Sequence, residues 1–140
     1  MPKSDKTEWT PCPGDAVPAD KASNIVAAFE SRFRVNTSGR HPKVPTWVAF
    51  DPSASRRATP RAFQSRSIAD EAEVFLWFEG RELRRTTMGD VRRYLAALEP
   101  WEDWDLYVFD PALSWSIALT HPQMGNQRLV IVAGTFPPRG

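Results

Sequence analysis

The sequence predicts an α+β domain, a mainly antiparallel sheet of about four to five strands with two helices packed on one face. Three observations carry this. Residues 106–120, LYVFDPALSWSIALT, read as two apolar strands around an Asp-Pro turn. Residues 91–98 place Val91, Tyr94, Leu95 and Leu98 at the i, i+3, i+4, i+7 spacing of an amphipathic helix. The runs EVFLWF (residues 73–78) and RLVIVA (residues 128–133) are short and nearly continuous apolar stretches, which is how strands buried on both faces look.

The elements follow in order. Residues 1–19 carry Pro2, Pro11, Pro13 and Pro18. Proline removes backbone donors and resists both helix and central strand, so this stretch is expected to be a flexible arm with no regular element before Pro18. A single domain is expected over residues 20–136. Asp20 or Ser23 can cap a helix running to about Arg34, with Ile25, Val26, Phe29 and Phe33 on one face. Pro42 and Pro45 precede a short extended piece, residues 46–50, expected as an edge strand. Residues 51–66, DPSASRRATPRAFQSR, are small, basic and interrupted by proline, and are expected to form a mobile loop. Gly80 closes the strand at residues 73–78, and Thr87 with Asp90 three residues on marks a helix start that Pro100 later stops. In the hairpin, Trp115, Ile117 and Leu119 point one way, and Ser114, Ser116, Ala118 and Thr120 the other.

The chain of 140 residues, 41% hydrophobic with six Trp, is long enough for one well-filled core. No apolar run reaches the roughly 20 residues that span a bilayer, so no membrane association is expected. The N-terminus has no apolar signal region, and Cys12 is the only cysteine. Both suggest a reducing, cytoplasmic setting with Cys12 an inert thiol. The net charge of +1 hides a segregated distribution: residues 31–68 hold eight basic groups against Asp51 alone, while residues 69–140 are net acidic.

Candidate chemistry was weighed against simpler roles. Ser114, Ser116, Asp110 and His121 are the residue types of a hydrolytic triad, but Asp110 and Ser114 sit at the turn while His121 lies a strand away. At about 3.3 Å per residue that is roughly 20 Å, too far for proton transfer. The acidic loop Glu99, Glu102, Asp103 and Asp105 lacks calcium-loop spacing. Interleaved with Trp101 and Trp104, it reads instead as a protein-binding surface, because Trp is enriched at interface hot spots. Arg56, Arg57, Arg61 and Arg66 are the alternative, a set of phosphate contacts for a nucleic acid. No phosphate loop, dinucleotide fingerprint, metal site or cofactor site is expected.

The residues 104–121, WDLYVFDPALSWSIALTH, resemble the C-terminal hairpin of small bacterial proteins of uncharacterised or immunity-protein type: an aromatic-rich strand, a short turn, a Trp and a terminal Thr-His. The resemblance implies a non-enzymatic protein that neutralises a toxin or other protein partner by occluding it. The expected interface is Trp101, Glu102, Asp103, Trp104 and Asp105 with His121 nearby. A third possibility is an enzyme with His121 as general base.

Overall fold

The computed structural model describes residues 10–33, 46–50, 53–98, 102, 104–123 and 127–138. Its centre is one sheet of seven antiparallel strands, β1 (Asp15–Ala16), β2 (Ser55–Ala58), β3 (Glu73–Phe78), β4 (Glu82–Thr87), β5 (Leu106–Phe109), β6 (Trp115–Leu119) and β7 (Val130–Gly134), in the spatial order β1-β4-β3-β5-β6-β7-β2. Two helices, α1 (Ala19–Arg32) and α2 (Met88–Ala97), complete the α+β architecture.

The side chains of the central strands decide where the helices go. Val74, Leu76 and Phe78, Leu106 and Val108, Trp115, Ile117 and Leu119, and Val130 and Val132 form one apolar layer with Met88, Val91 and Tyr94 of α2. The alternate positions Phe75, Tyr107, Phe109, Ala118, Ile131 and Ala133 form a second layer with Phe29 and Phe33 of α1. Successive strand residues point to opposite faces, so the two layers lie on opposite sides of the sheet. The expected placement of both helices on one face is therefore corrected, as is the strand count. A sheet apolar on both sides cannot leave one of them to water.

Each helix is locked by aromatic packing. The Phe29 ring lies 4.7 Å from Phe109, 5.7 Å from Tyr107 and 5.6 Å from Trp77, centroid to centroid, and Phe33 stacks at 5.0 Å from it. On the other face Tyr94 meets Phe78 edge-on at 5.7 Å. Such tilted and edge-on contacts suit the ring quadrupoles and add to the burial term. α2 starts where its sequence says: Thr87 is extended (φ −115°, ψ 158°) and its hydroxyl accepts from the Asp90 N–H. α1 starts differently. Pro18 is its N-cap and makes no side-chain cap, in place of the expected Asp20 or Ser23.

Four further elements depart from expectation. ELRRTT has little apolar content and no strand is expected there, yet β4 pairs with β3 along all six residues. The connection is a tight turn with Gly80 at φ +78°, and the Arg81 N–H donates to the Phe78 carbonyl. Before Pro18, Asp15 and Ala16 pair with Arg85 and Arg84 as the short edge strand β1. Arg84 straps this segment down through the carbonyls of Pro13 (2.8 Å) and Gly14. Gly14 (φ +77°) is required there, since a Cβ would fall 2.1 Å from the Arg85 carbonyl oxygen.

Residues 46–50 do not form a strand: Thr46–Ala49 is a 3-10 turn. The expected loop at 51–66 contains β2, paired with β7 over four residues, and a second 3-10 turn, Pro60–Gln64. Residues 51 and 52 of that stretch lie outside the described residues. The Arg92 guanidinium of α2 gathers the carbonyls of Phe63, Ser65 and Ile68 and the carboxylate of Asp70, which holds residues 63–70 against the α2 face.

Phe29 is the contact on which the α1 layer turns. Phe29→Ala is expected to cost about 3–5 kcal/mol, the range for removing a fully buried aromatic. Urea unfolding followed by tryptophan fluorescence measures it, and a loss below about 1 kcal/mol would show that α1 adds little to the fold.

Candidate functional site at the Asp105–His121 end of the sheet

The antiparallel register places the end of β3, the start of β5 and the end of β6 side by side: Phe78 pairs with Leu106, and Leu106 with Leu119. Residues just beyond these pairs, Glu79, Asp105 and His121, therefore share one end of the sheet. The 3-10 turn Thr46–Ala49 lies across it. Glu79 accepts from the Thr46 N–H (2.9 Å) and from the Tyr107 hydroxyl (2.6 Å), and that hydroxyl accepts from the Trp47 N–H (2.8 Å). One carboxylate and a phenol thus fix the turn, an arrangement that charge-assisted hydrogen bonds strengthen.

Asp105 is the hub. Its Oδ1 accepts from the Trp47 indole N–H (3.0 Å), the His121 backbone N–H (2.8 Å) and His121 Nδ1 (2.8 Å), and Oδ2 lies 3.0 Å from the same ring nitrogen. The Asp105 side chain is 16% exposed and the His121 ring 40%. With Nδ1 on the Asp105 carboxylate, Nε2 of His121 has no hydrogen-bond partner among the described residues. The Trp47 and His121 ring centroids are 6.5 Å apart. Val48, next to Trp47, is 54% exposed and is the one large apolar side chain counted as exposed among the described residues.

The expected site residues divide. Asp105 and His121 are brought together. Trp104 is half-buried against the α2 face, with the Arg81 guanidinium 5.0 Å over its ring. Glu102 is fully buried, and its carboxylate accepts from the backbone N–H and the hydroxyl of Thr10. It is not the surface acid that the sequence suggested, because folding back residues 10–14 covers it. Trp101 and Asp103 lie outside the described residues. Sequence reasoning missed Thr46, Trp47, Glu79 and Tyr107, which the turn and the register bring in from three distant stretches. The signal that was available is the strand pairing, which sets residue 105 opposite residue 120.

Asp110 remains at the turn, where its Oδ1 accepts from the backbone of Ser114 (2.6 Å) and Trp115 (3.2 Å). Ser116 is fully buried and cannot act as a surface nucleophile. The carboxylate that His121 does meet, Asp105, orients it as a base requires. No hydroxyl or thiol is hydrogen-bonded to the His121 ring among the described residues. Cys12 is half-buried, and burial pushes its thiol up, away from the reactive thiolate. Among the described residues no three His, Cys, Asp or Glu side chains gather as a metal site, and no helix is long and apolar enough to cross a membrane.

The alternative set behaves differently from the other arginines. Arg84, Arg92 and Arg93 bond to Glu82, Asp70 and Asp90. Arg56, Arg57, Arg61 and Arg66 are all exposed on β2 and the turn after it, and none meets a carboxylate among the described residues. Arg56 bonds only to the Phe136 carbonyl, at 3.0 Å.

Burial, and then the neighbouring Glu79 carboxylate, push the Tyr107 phenol far up, and burial does the same for Tyr94. The folded chain keeps phenolic protons that the unfolded chain releases above about pH 10, so stability falls as pH rises past that point. Absorbance at 295 nm should show no tyrosinate while circular dichroism reports the fold, with both phenols ionising as it unfolds. Ionisation near pH 10 in the folded protein would contradict the Glu79–Tyr107 geometry.

No protein-family model, no curated protein and no solved structure matches the chain.

Proposed function

We propose that this chain is a small cytoplasmic binding protein of the immunity type, which neutralises a protein partner by covering it. The interface is the Asp105–His121 end of the sheet rather than the wider acidic loop. The observation that carries this reading is Val48, exposed beside the half-buried Trp47. Trp47 is pinned by Asp105 and Tyr107, so an aromatic anchor is presented in one conformation. Pre-ordering lowers the entropy lost on association. The adjoining His121 ring, with Nε2 open, supplies a directional polar contact, and a buried aromatic with a polar neighbour is the composition of a hot spot. The resemblance of residues 104–121 to immunity-type proteins points the same way, and the lone Cys12 suits a reducing compartment.

Val48→Glu places a charge in this surface at the exposed side chain of the turn, leaving the hydrogen-bonding groups of Thr46 and Trp47 unchanged in sequence. Tagged wild type, Val48→Glu and the distant control Arg57→Glu are used to capture partners from the native host, and affinity for the captured protein is then measured. Val48→Glu is expected to weaken binding at least about tenfold, with Arg57→Glu near wild type. Equal affinity for all three excludes this surface.

Arg56, Arg57, Arg61 and Arg66, exposed and without a carboxylate partner among the described residues, favour a second reading, a nucleic-acid contact through β2 and its following turn. Phosphate contacts release counterions, so affinity for a random-sequence oligonucleotide should fall steeply between 50 and 200 mM salt by the ordinary polyelectrolyte slope. It should fall again in an Arg57→Glu, Arg61→Glu double variant. Binding indifferent to salt, or no binding at 50 mM, removes this reading.

A further inference from the structure

The sheet ends on β2, which pairs with β7 on one side and, among the described residues, with no strand on the other. The hydrogen bonds of β7 fix which backbone groups of β2 face outward. The Thr120 N–H donates to the Leu129 carbonyl (3.0 Å) and the Thr135 N–H to the Ser114 carbonyl (2.8 Å), so the odd-numbered residues of this stretch bond to β6. The even-numbered Val130, Val132 and Gly134 turn to β2, where the Gly134 N–H meets the Ala54 carbonyl. Backbone groups alternate sides along an antiparallel strand. Arg56 and Ala58, opposite Val132 and Val130, therefore bond to β7, and Arg57 holds its N–H and C=O out from the edge of the sheet.

An edge of this kind takes up one more strand, and its side chains decide which. The Arg57, Arg61 and Arg66 side chains are exposed on β2 and the turn after it, with no carboxylate partner among the described residues. Like charges repel a second copy of the same edge, whereas an acidic strand is drawn in. A nucleic acid meets the same charge with a different backbone. Phosphate oxygens accept hydrogen bonds and do not donate them, so they leave the outward Arg57 carbonyl unmet. A peptide strand offers both an N–H and a C=O at alternate residues, which matches both groups of Arg57.

We propose that β2 binds an extended acidic segment of a protein partner, which adds a strand beyond Arg57 and sets its carboxylates against Arg57 and Arg61. Main-chain bonds supply the affinity and charge supplies the selection. This surface shares no residue with the one proposed at Val48.

Fluorescence anisotropy of the full chain with a labelled peptide of alternating Glu and Val, at low salt, tests this. The comparators are the same peptide with Lys for Glu, the Glu peptide N-methylated at every residue, and a single-stranded oligonucleotide of equal charge. The Glu peptide should bind at least about tenfold tighter than the Lys peptide, and about tenfold tighter than the N-methylated one, which has lost its main-chain donors. Arg57→Gln removes the charge and keeps the N–H. Arg57→Pro removes both, at no loss of a bond to β7, because that N–H faces outward. Arg57→Pro should bind the Glu peptide at least about threefold more weakly than Arg57→Gln. If Arg57→Pro fails to fold, amide hydrogen exchange in the wild type reads the same bond: exchange at Arg57 should slow when the peptide is bound. Val48→Glu should bind the peptide as wild type does, which separates this surface from the other. Equal binding of the plain and N-methylated peptides, equal binding of the Glu and Lys peptides, or unchanged exchange at Arg57 in the complex overturns the proposal. So does tighter binding of the oligonucleotide than of the Glu peptide, or no binding at millimolar peptide.

Discussion

The structure rests on a constraint set by its central strands: β3, β5, β6 and β7 are apolar on both faces. A strand buried on one side only can show polar residues to water, but LYVF and VIVA have none to show. Both faces must be covered, and there are two α-helices among the described residues. One goes to each side, α1 over the Phe75–Tyr107–Phe109 layer and α2 over the Leu76–Phe78–Val108 layer. Everything at the edges is then polar by default. The edge strand β2 carries Arg56 and Arg57, and a charged edge of this kind also discourages sheets from pairing with one another.

Polar groups in this fold act chiefly as fasteners. Arg92 ties residues 63–70 to α2, Arg84 ties the N-terminal segment to β4, and Glu102 holds Thr10. Asp105 and Glu79 do the same for the turn at Thr46–Ala49. Each of these side chains meets acceptors or donors that would otherwise be buried without partners, and an unmade hydrogen bond costs more than a made one contributes. Against that pattern the uncommitted groups stand out. Among the described residues they are His121 Nε2 and the guanidinium groups of Arg57, Arg61 and Arg66.

The Asp105–His121 pair shows how the same geometry serves different chemistries. A carboxylate on Nδ1 orients the ring as a general base requires. The pair also holds Trp47 through the same Asp105 oxygen. In a binding surface this sharing is an advantage, because one buried acid orders both an aromatic anchor and its polar neighbour.

Much of the fold was legible in the residues alone. The Asp110–Leu113 turn, the alternation of β6, the Thr87 cap and the apolar face of α2 all follow from local rules of spacing and turn chemistry. Those rules act over a few residues, and the sequence determined by itself whatever they govern. It did not determine the elements whose reason lies in a distant partner. β2 and β4 are strands because β7 and β3 supply their hydrogen bonds, although SRRA and ELRRTT contain little that favours a strand. The site follows the same division. Asp105 and His121 were visible as residues of interest, but only the β5–β6 register made them partners. Trp47 and Glu79 joined them because tertiary folding laid a turn from residues 46–49 across the end of the sheet. Glu102 moved the other way, from expected surface acid to buried fastener, because the chain around Thr10 folds back over it. Periodicity speaks for the face a residue shows, and only the packed structure decides what that face meets.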